Sequence, residues 1–118
     1  MGKKKYVGET ITLNDHRLDT VKNLIRRLVE LDQTKKVKYL KNISSREIEI
    51  IEEILVNVIK GNIPLNIKVF KLLKRVKKHM YYLISSKVSH GTKKLILSSL
   101  KGLQILNLVL PTLQRFLS

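Results

Sequence analysis

The 118-residue chain has no cysteine and no tryptophan, few prolines and glycines, and no acidic residue after Glu53. Without cysteine it has neither a disulfide framework nor a thiolate metal site. Because proline and glycine are scarce and leucine, isoleucine and lysine are abundant, the composition favours helices. No apolar run approaches the roughly 18 residues that crossing a membrane requires. The polar start lacks the apolar stretch of a signal peptide, so we expect no secretion by that route.

Charge is distributed unevenly along the chain. Up to residue 53, twelve Lys and Arg residues stand against nine acids, a net charge of +3. The remaining 65 residues hold twelve Lys and Arg residues and no acid, a net charge of +12. A protein with a total charge of +15 attracts polyanions such as DNA, RNA or anionic lipid, whatever its fold. Because the excess of positive charge lies after residue 53, we expect the polyanion to contact the second half of the chain.

Three segments can be distinguished from the sequence. Residues 1–13 read as a basic N-terminal arm, residues 14–102 as a helical domain with a basic C-terminal half, and residues 103–118 as an apolar C-terminal segment. Within the domain, Ser44 and Glu47 have the spacing of a capping box ahead of an apolar stripe, which predicts a helix over residues 45–60.

Further helices are predicted on either side of that one. Apolar residues at helical spacing predict helices over residues 14–31 and 67–84, and Gly102 is expected to mark a joint. We therefore predict an all-α fold, a small bundle of four to five helices with a basic N-terminal arm and an apolar C-terminal helix.

The helix predicted over residues 67–84 is amphipathic, and its polar face carries charges of one sign. Its apolar residues fall in one arc, and the bases opposite them are Lys68, Lys71, Lys74, Arg75 and Lys78. Solvated helix faces usually mix Glu with Lys to gain pairs one turn apart. Here the pairs Lys71/Arg75 and Lys74/Lys78 repel instead. The pattern favours contact with a polyanion, and an ordinary solvated face is the alternative.

Ten residues form the candidate nucleic-acid-binding site. They are Lys68, Lys71, Lys74, Arg75, Lys77, Lys78, Tyr82, Lys87, Lys93 and Lys94. Tyr82 lies among the bases, where it can stack on a nucleobase or bond to a phosphate. Tyr81 lies at their edge and has the same options. In the alternative, one or both tyrosines pack at the rim of the core, which we favour for Tyr81. Contacts to phosphate predict binding that depends strongly on salt and weakly on sequence.

The chain offers little to catalysis. His16, His79 and His90 lack the spacing of metal ligands. Paired carboxylates, a nucleophile motif and a phosphate-cradling glycine loop are all missing. We predict that the protein is not an enzyme, has no catalytic residue, and uses neither a metal nor a cofactor.

The apolar segment at residues 103–118 has two interpretations. It is either a core helix that covers the apolar stripes of the other helices, which we favour, or an exposed element that inserts into a membrane or docks on a partner. Two alternatives to nucleic-acid binding follow from the exposed case. One is a membrane-active or capsid-docking amphipathic protein that uses residues 103–117, and the other is a helical protein-interaction module.

Residues 53–113 carry a series of short motifs. A turn with the sequence KGNIPL at residues 60–65 precedes a basic run at residues 74–78. A KVS step at residues 87–89, further bases at Lys93 and Lys94, and an apolar tail that contains a proline follow. In these features the sequence resembles small basic proteins encoded by adenovirus-like elements, the Polinton/Maverick and adintovirus group.

The resemblance implies a function and a location. Such proteins resemble virion core or minor capsid components, so the expected partners are double-stranded DNA and capsid proteins, in the virion and the host nucleus. Without the resemblance, we expect an intracellular protein. The sequences MYY at residues 80–82 and HGT at residues 90–92 replace bases that the pattern would have, and a lone Gly102 replaces a glycine run. These departures argue against dense condensation of DNA.

Overall fold

Seven α-helices follow one another in the part of the chain that the computed structural model describes, residues 15–117. They are α1 Asp15–Glu30, α2 Gln33–Lys41, α3 Ser45–Ile59, α4 Ile67–Lys74, α5 Lys77–Ile84, α6 His90–Leu97 and α7 Leu100–Leu117. No strand occurs among these residues, so the all-α class is confirmed, whereas the predicted number of helices is too low. The predicted basic arm at residues 1–13 lies outside the described residues.

Side chains at the starts of the helices pair with backbone N–H groups that have no partner inside the helix. In the capping box of α3, Ser44 Oγ accepts from the Glu47 N–H at 3.1 Å, and Glu47 Oε1 accepts from the Ser44 N–H at 3.0 Å. The same role is played at α2, α4 and α6 by Asp32, Asn66 and Ser89. The capping-box prediction is therefore confirmed.

Helix α7 lies at the centre of the packing. It contacts α1, α4, α5 and α6, while α3 packs on α5 and α6, and α2 packs on α6. Leu106, Val109 and Leu113 are only 1%, 0% and 0% exposed. Because these side chains fill the core, the apolar C-terminal segment is a core helix rather than an exposed tail.

The predicted joint at Gly102 is wrong, because Gly102 lies inside α7. The joint falls earlier, at residues 98–99, where α6 and α7 meet at an angle of 78°. A Cβ atom on Gly102 would lie 2.0 Å from the carbonyl oxygen of Ile96 and 2.6 Å from Leu97 Cα. Glycine is needed here because the two backbones approach so closely.

The helix predicted over residues 67–84 is two helices, α4 and α5, and this prediction is corrected. The Arg75 and Val76 N–H groups bond to carbonyl groups three residues back, on Leu72 and Leu73, at 3.2 and 3.0 Å. Bonds to the third residue back, in place of the fourth, wind the last turn more tightly and end α4. Val76 is fully buried, so packing of its side chain, rather than a glycine or proline, accompanies the break.

Judged by length and apolar composition, no single helix in the described part of the chain is able to cross a membrane. The pair α6 and α7 passes that criterion only when taken together, as a span bent by 78°. In this structure, however, α7 packs against four other helices.

Candidate nucleic-acid interface

The basic residues of α4, α5 and the residues that join them are exposed. They are Lys68, Lys71, Lys74, Arg75, Lys77 and Lys78. None of Lys68, Lys71, Arg75 and Lys78 forms a salt bridge with an acid among residues 18–117. The ammonium and guanidinium groups therefore present positive charge to solvent, as the sequence predicted.

The exposure of these bases follows from the way that α4 and α5 pack. Leu73, Val76, Met80 and Leu83 are all buried in the core. Since these apolar residues face inward on both helices, the bases between them face outward. We name the surface formed by the six exposed bases between residues 68 and 78 the basic face.

An apolar groove lies beside the basic face, where α4 and α5 meet the end of α3. Its volume is about 200 Å³. Val58, Leu73 and Met80 line it as buried side chains, and Ile59 and Leu65 line it with more exposure. The sequence did not predict this groove, because it requires α3 to lie beside the break between α4 and α5.

Two aromatic rings line the groove, each with a lysine close to it. Lys74 Nζ lies 5.5 Å from the centroid of the Phe70 ring, and Lys77 Nζ lies 5.9 Å from that of Tyr81. These distances are within the range of cation–π attraction. Phe70 is 49% exposed and Tyr81 is 45% exposed. Tyr81 lines the groove beside the buried Leu73 and Met80, so it lies at the edge of the core with nearly half of the residue open to solvent.

Sequence reasoning missed Phe70, although a signal was present. Phe70 precedes Lys74 by four residues, and Lys77 precedes Tyr81 by four residues, so each pair shares one face of its helix. Tyr82, which was predicted to belong to the site, is equally exposed but does not line the groove. Its ring contacts His79 edge-on, with the centroids 6.4 Å apart.

Lys93 does not belong to the exposed site, and this prediction is corrected. The residue is 3% exposed, and its Nζ forms a salt bridge with Glu52 of α3. Packing of α6 against α3 places this ammonium group in the interior, where a phosphate cannot reach it. Lys93 therefore stabilises the contact between these two helices.

The two remaining predicted lysines lie away from the groove. Lys87 is exposed in the turn between α5 and α6. Lys94 is half-buried and lines a depression at the start of α6 with Lys41, Gly91 and Thr92. Lys41 was not predicted, because it lines this depression only through the packing of α2 on α6.

His79 and His90 both contact neighbouring side chains. His90 Nδ1 lies 2.9 Å from Ser45 Oγ and so links the starts of α6 and α3. Among the residues that the structure describes, no group of three His, Asp or Glu side chains is arranged to hold a metal ion.

Comparisons of the chain with protein-family models, with curated proteins and with solved structures gave no match. The chemistry of the candidate interface therefore follows from its own residues. These are a set of exposed cations, two half-exposed aromatic rings and an apolar groove between them.

Proposed function

We propose that this protein is a non-enzymatic nucleic-acid-binding protein that contacts the phosphate backbone without strong sequence specificity. The observation that carries the proposal is the basic face. Its bases are exposed, and Lys68, Lys71, Arg75 and Lys78 form no salt bridge with an acid in the described part of the chain. Such a surface is costly for the protein alone, because like charges one turn apart repel. A polyanion removes that cost.

The chemistry of the cations determines the kind of recognition. A lysine ammonium is a flexible point charge that pairs with phosphate oxygens and carries little information about the base. Each phosphate that is neutralised releases condensed counterions, so the affinity falls steeply as salt rises. The basic face therefore supports backbone binding rather than readout of a specific sequence.

A role in packaging double-stranded DNA rests on the resemblance to core and minor capsid-like proteins of adenovirus-like elements. On that basis, capsid proteins would be further partners. Because Met80, Tyr81 and Tyr82 stand in place of further bases, and Lys93 is buried, the exposed charge is smaller than the sequence suggests. We therefore propose binding along DNA rather than dense condensation.

We do not extend the proposal to insertion of residues 103–117 into a membrane. Insertion needs apolar side chains that can leave the protein for lipid. Leu106, Val109 and Leu113 are buried in the core, so inserting them would expose the apolar surfaces that they now cover. The basic face alone would offer an anionic membrane only electrostatic attraction.

The experiment compares two triple variants that lose the same number of charges. The first is Lys71→Gln/Arg75→Gln/Lys78→Gln on the basic face. The control is Lys22→Gln/Lys35→Gln/Lys38→Gln, which replaces exposed lysines of α1 and of the start and middle of α2. Affinity for a short duplex DNA is measured by fluorescence anisotropy, with circular dichroism to verify folding. We expect the first variant to lose about tenfold or more in affinity and the control to lose clearly less.

Equal losses in the two variants would contradict the proposal, because the affinity would then follow total charge rather than the basic face. Unchanged affinity in the basic-face variant would show that these bases only face solvent. Affinity measured on duplexes of unrelated sequence should fall by the same factor, since phosphate contacts are independent of sequence.

A further inference from the structure

We propose that the groove between α3, α4 and α5 receives one unpaired nucleobase of a single strand, stacked against Phe70 or Tyr81, with the flanking phosphates on Lys74 and Lys77. The inference rests on the phosphate binding of the proposed function. It specifies a single strand, rather than the double-stranded DNA of the packaging role, as the form that gains contacts in this groove.

The two rings are the first support. Phe70 and Tyr81 are 49% and 45% exposed, although burying large aromatic side chains is favourable. Each ring has the ammonium group of its own helix close by, from Lys74 or Lys77. An aromatic side chain beside a cation is the usual platform for single-stranded nucleic acid, because every base has a π-face that can stack on it.

The size of the groove is the second support. At about 200 Å³ it is smaller than the roughly 300–1,000 Å³ of pockets for drug-sized ligands, so it suits one flat ring system. A partner helix would instead need an elongated groove for anchors over two or more turns. Leu73 and Met80 form an apolar lining, and the Met80 thioether adds a polarizable contact for an aromatic ring.

The charges around the groove are the third support. Lys74 and Lys77 both line it, and Lys71, Arg75 and Lys78 continue the positive charge along the basic face. A lysine stem is flexible, so its ammonium group can move from the ring to a phosphate while a base takes its place on the ring. In a duplex the bases are stacked and paired, so only their phosphates would reach these cations. A single strand gains both contacts.

The test compares a short oligothymidylate with an abasic strand of the same length, which has the same phosphates and no bases. Fluorescence anisotropy of the full chain should show oligothymidylate binding about tenfold more tightly than the abasic strand. The variant Phe70→Leu/Tyr81→Leu keeps apolar volume in the groove but removes both rings. It should lose that preference while still binding the abasic strand as the wild type does.

Phe116→Ala is the matched control. Phe116 is 45% exposed on α7 and does not line the groove, so its removal should leave the preference for oligothymidylate intact. Circular dichroism of each variant verifies that its helices are formed.

The outcomes separate the inference from the proposed function. Equal affinity of the wild type for the two strands would overturn the inference and leave phosphate binding in place. Absence of binding to either strand, and to duplex DNA, would overturn both. A preference for oligothymidylate that survives in the Phe70→Leu/Tyr81→Leu variant would place stacking elsewhere and overturn the assignment to this groove. Binding of an acidic peptide with an apolar anchor to the groove, without any preference for bases, would assign it to a protein partner instead.

Discussion

Lysine side chains occupy three different surroundings in this protein. Lys71 is exposed on the basic face. Lys93 is buried and forms a salt bridge with Glu52. Lys36 is also buried, its Nζ donates to Asn107 Oδ1 at 2.8 Å, and burial lowers its pKa. A count of lysines therefore overstates the charge that is available for binding.

Lys93 should contribute to stability and not to binding. Replacing Lys93 by Met leaves the partly exposed Glu52 without its cation, so we expect the free energy of unfolding in urea to fall by about 1–3 kcal/mol. The double variant Lys93→Met/Glu52→Gln should recover part of that loss. Affinity for DNA should stay within about twofold of the wild type.

A different pattern would place Lys93 in the interface after all. If Lys93→Met lowered affinity for DNA as much as Lys71→Gln does, and left stability unchanged, the corrected assignment would be wrong.

Glu47 gives the fold a dependence on pH. Burial by itself would raise the pKa of Glu47, but hydrogen bonds from Tyr39 and Ser44 and the charge of Arg27 outweigh it and lower the pKa below its ordinary value of 4.5. The charged carboxylate is therefore favoured in the folded state. Its contribution to stability is present above about pH 4.5 and is lost as the pH falls through the lowered pKa.

The variant Glu47→Gln isolates this contribution. Unfolding in urea between pH 7 and pH 3 should show the stability of the wild type decreasing below pH 4.5, and a shallower decrease in the variant. Glu49→Gln is the control, because Glu49 is exposed on the same helix and its loss should leave the steep decrease in place. Identical profiles for Glu47→Gln and the wild type would contradict this account.

At the scale of the element, the corner between α6 and α7 depends on Gly102. The change Gly102→Ala would place a methyl group against the backbone of Ile96 and Leu97, so we expect a loss of at least about 2 kcal/mol in thermal or urea unfolding. This loss exceeds the gain of up to about 1 kcal/mol that alanine normally brings to a helix.

Gly91 supplies the control, because a Cβ atom added at this position of α6 would have only Ser89 Oγ nearby, at 3.9 Å. Gly91→Ala should therefore change stability by less than about 1 kcal/mol or increase it. If both substitutions were equally tolerated, the close approach at the corner would not be a constraint on the sequence.

Elements with local signals were predicted well. Helix α3 has its capping box and its apolar stripe in consecutive residues, so its range was predicted to within one residue at its end. The break between α4 and α5 has no such signal. It contains neither glycine nor proline. Val76 also falls on the apolar face of an uninterrupted helix over residues 67–84, so a helical wheel gives no sign of the break.

The same distinction applies to the candidate site. The exposed bases could be predicted because, at helical spacing, the apolar and basic residues of this stretch fall on opposite faces. The groove could not, because Val58 and Ile59 come from the end of α3 and join Phe70 and Tyr81 only after folding. The burial of Lys93 was missed for the same reason, since Glu52 lies 41 residues earlier in the chain.

At the scale of the whole molecule, the last helix is the one that joins the others. Helix α7 packs on α1, which begins the described part of the chain, and also on α4, α5 and α6. Its apolar residues pack against the inner sides of α4 and α5, the two helices that carry the basic face. A net charge of +15 opposes compactness through self-repulsion, so binding a polyanion to the folded state should relieve part of that repulsion.

The central claim is that the basic face binds nucleic acid through its phosphates, and the salt dependence of duplex binding tests it most directly. The logarithm of the affinity should fall linearly with the logarithm of the salt concentration. The slope should become shallower by about 2–3 in Lys71→Gln/Arg75→Gln/Lys78→Gln, and change less in Lys22→Gln/Lys35→Gln/Lys38→Gln. Wild-type binding that is absent, or that does not respond to salt, would contradict the account.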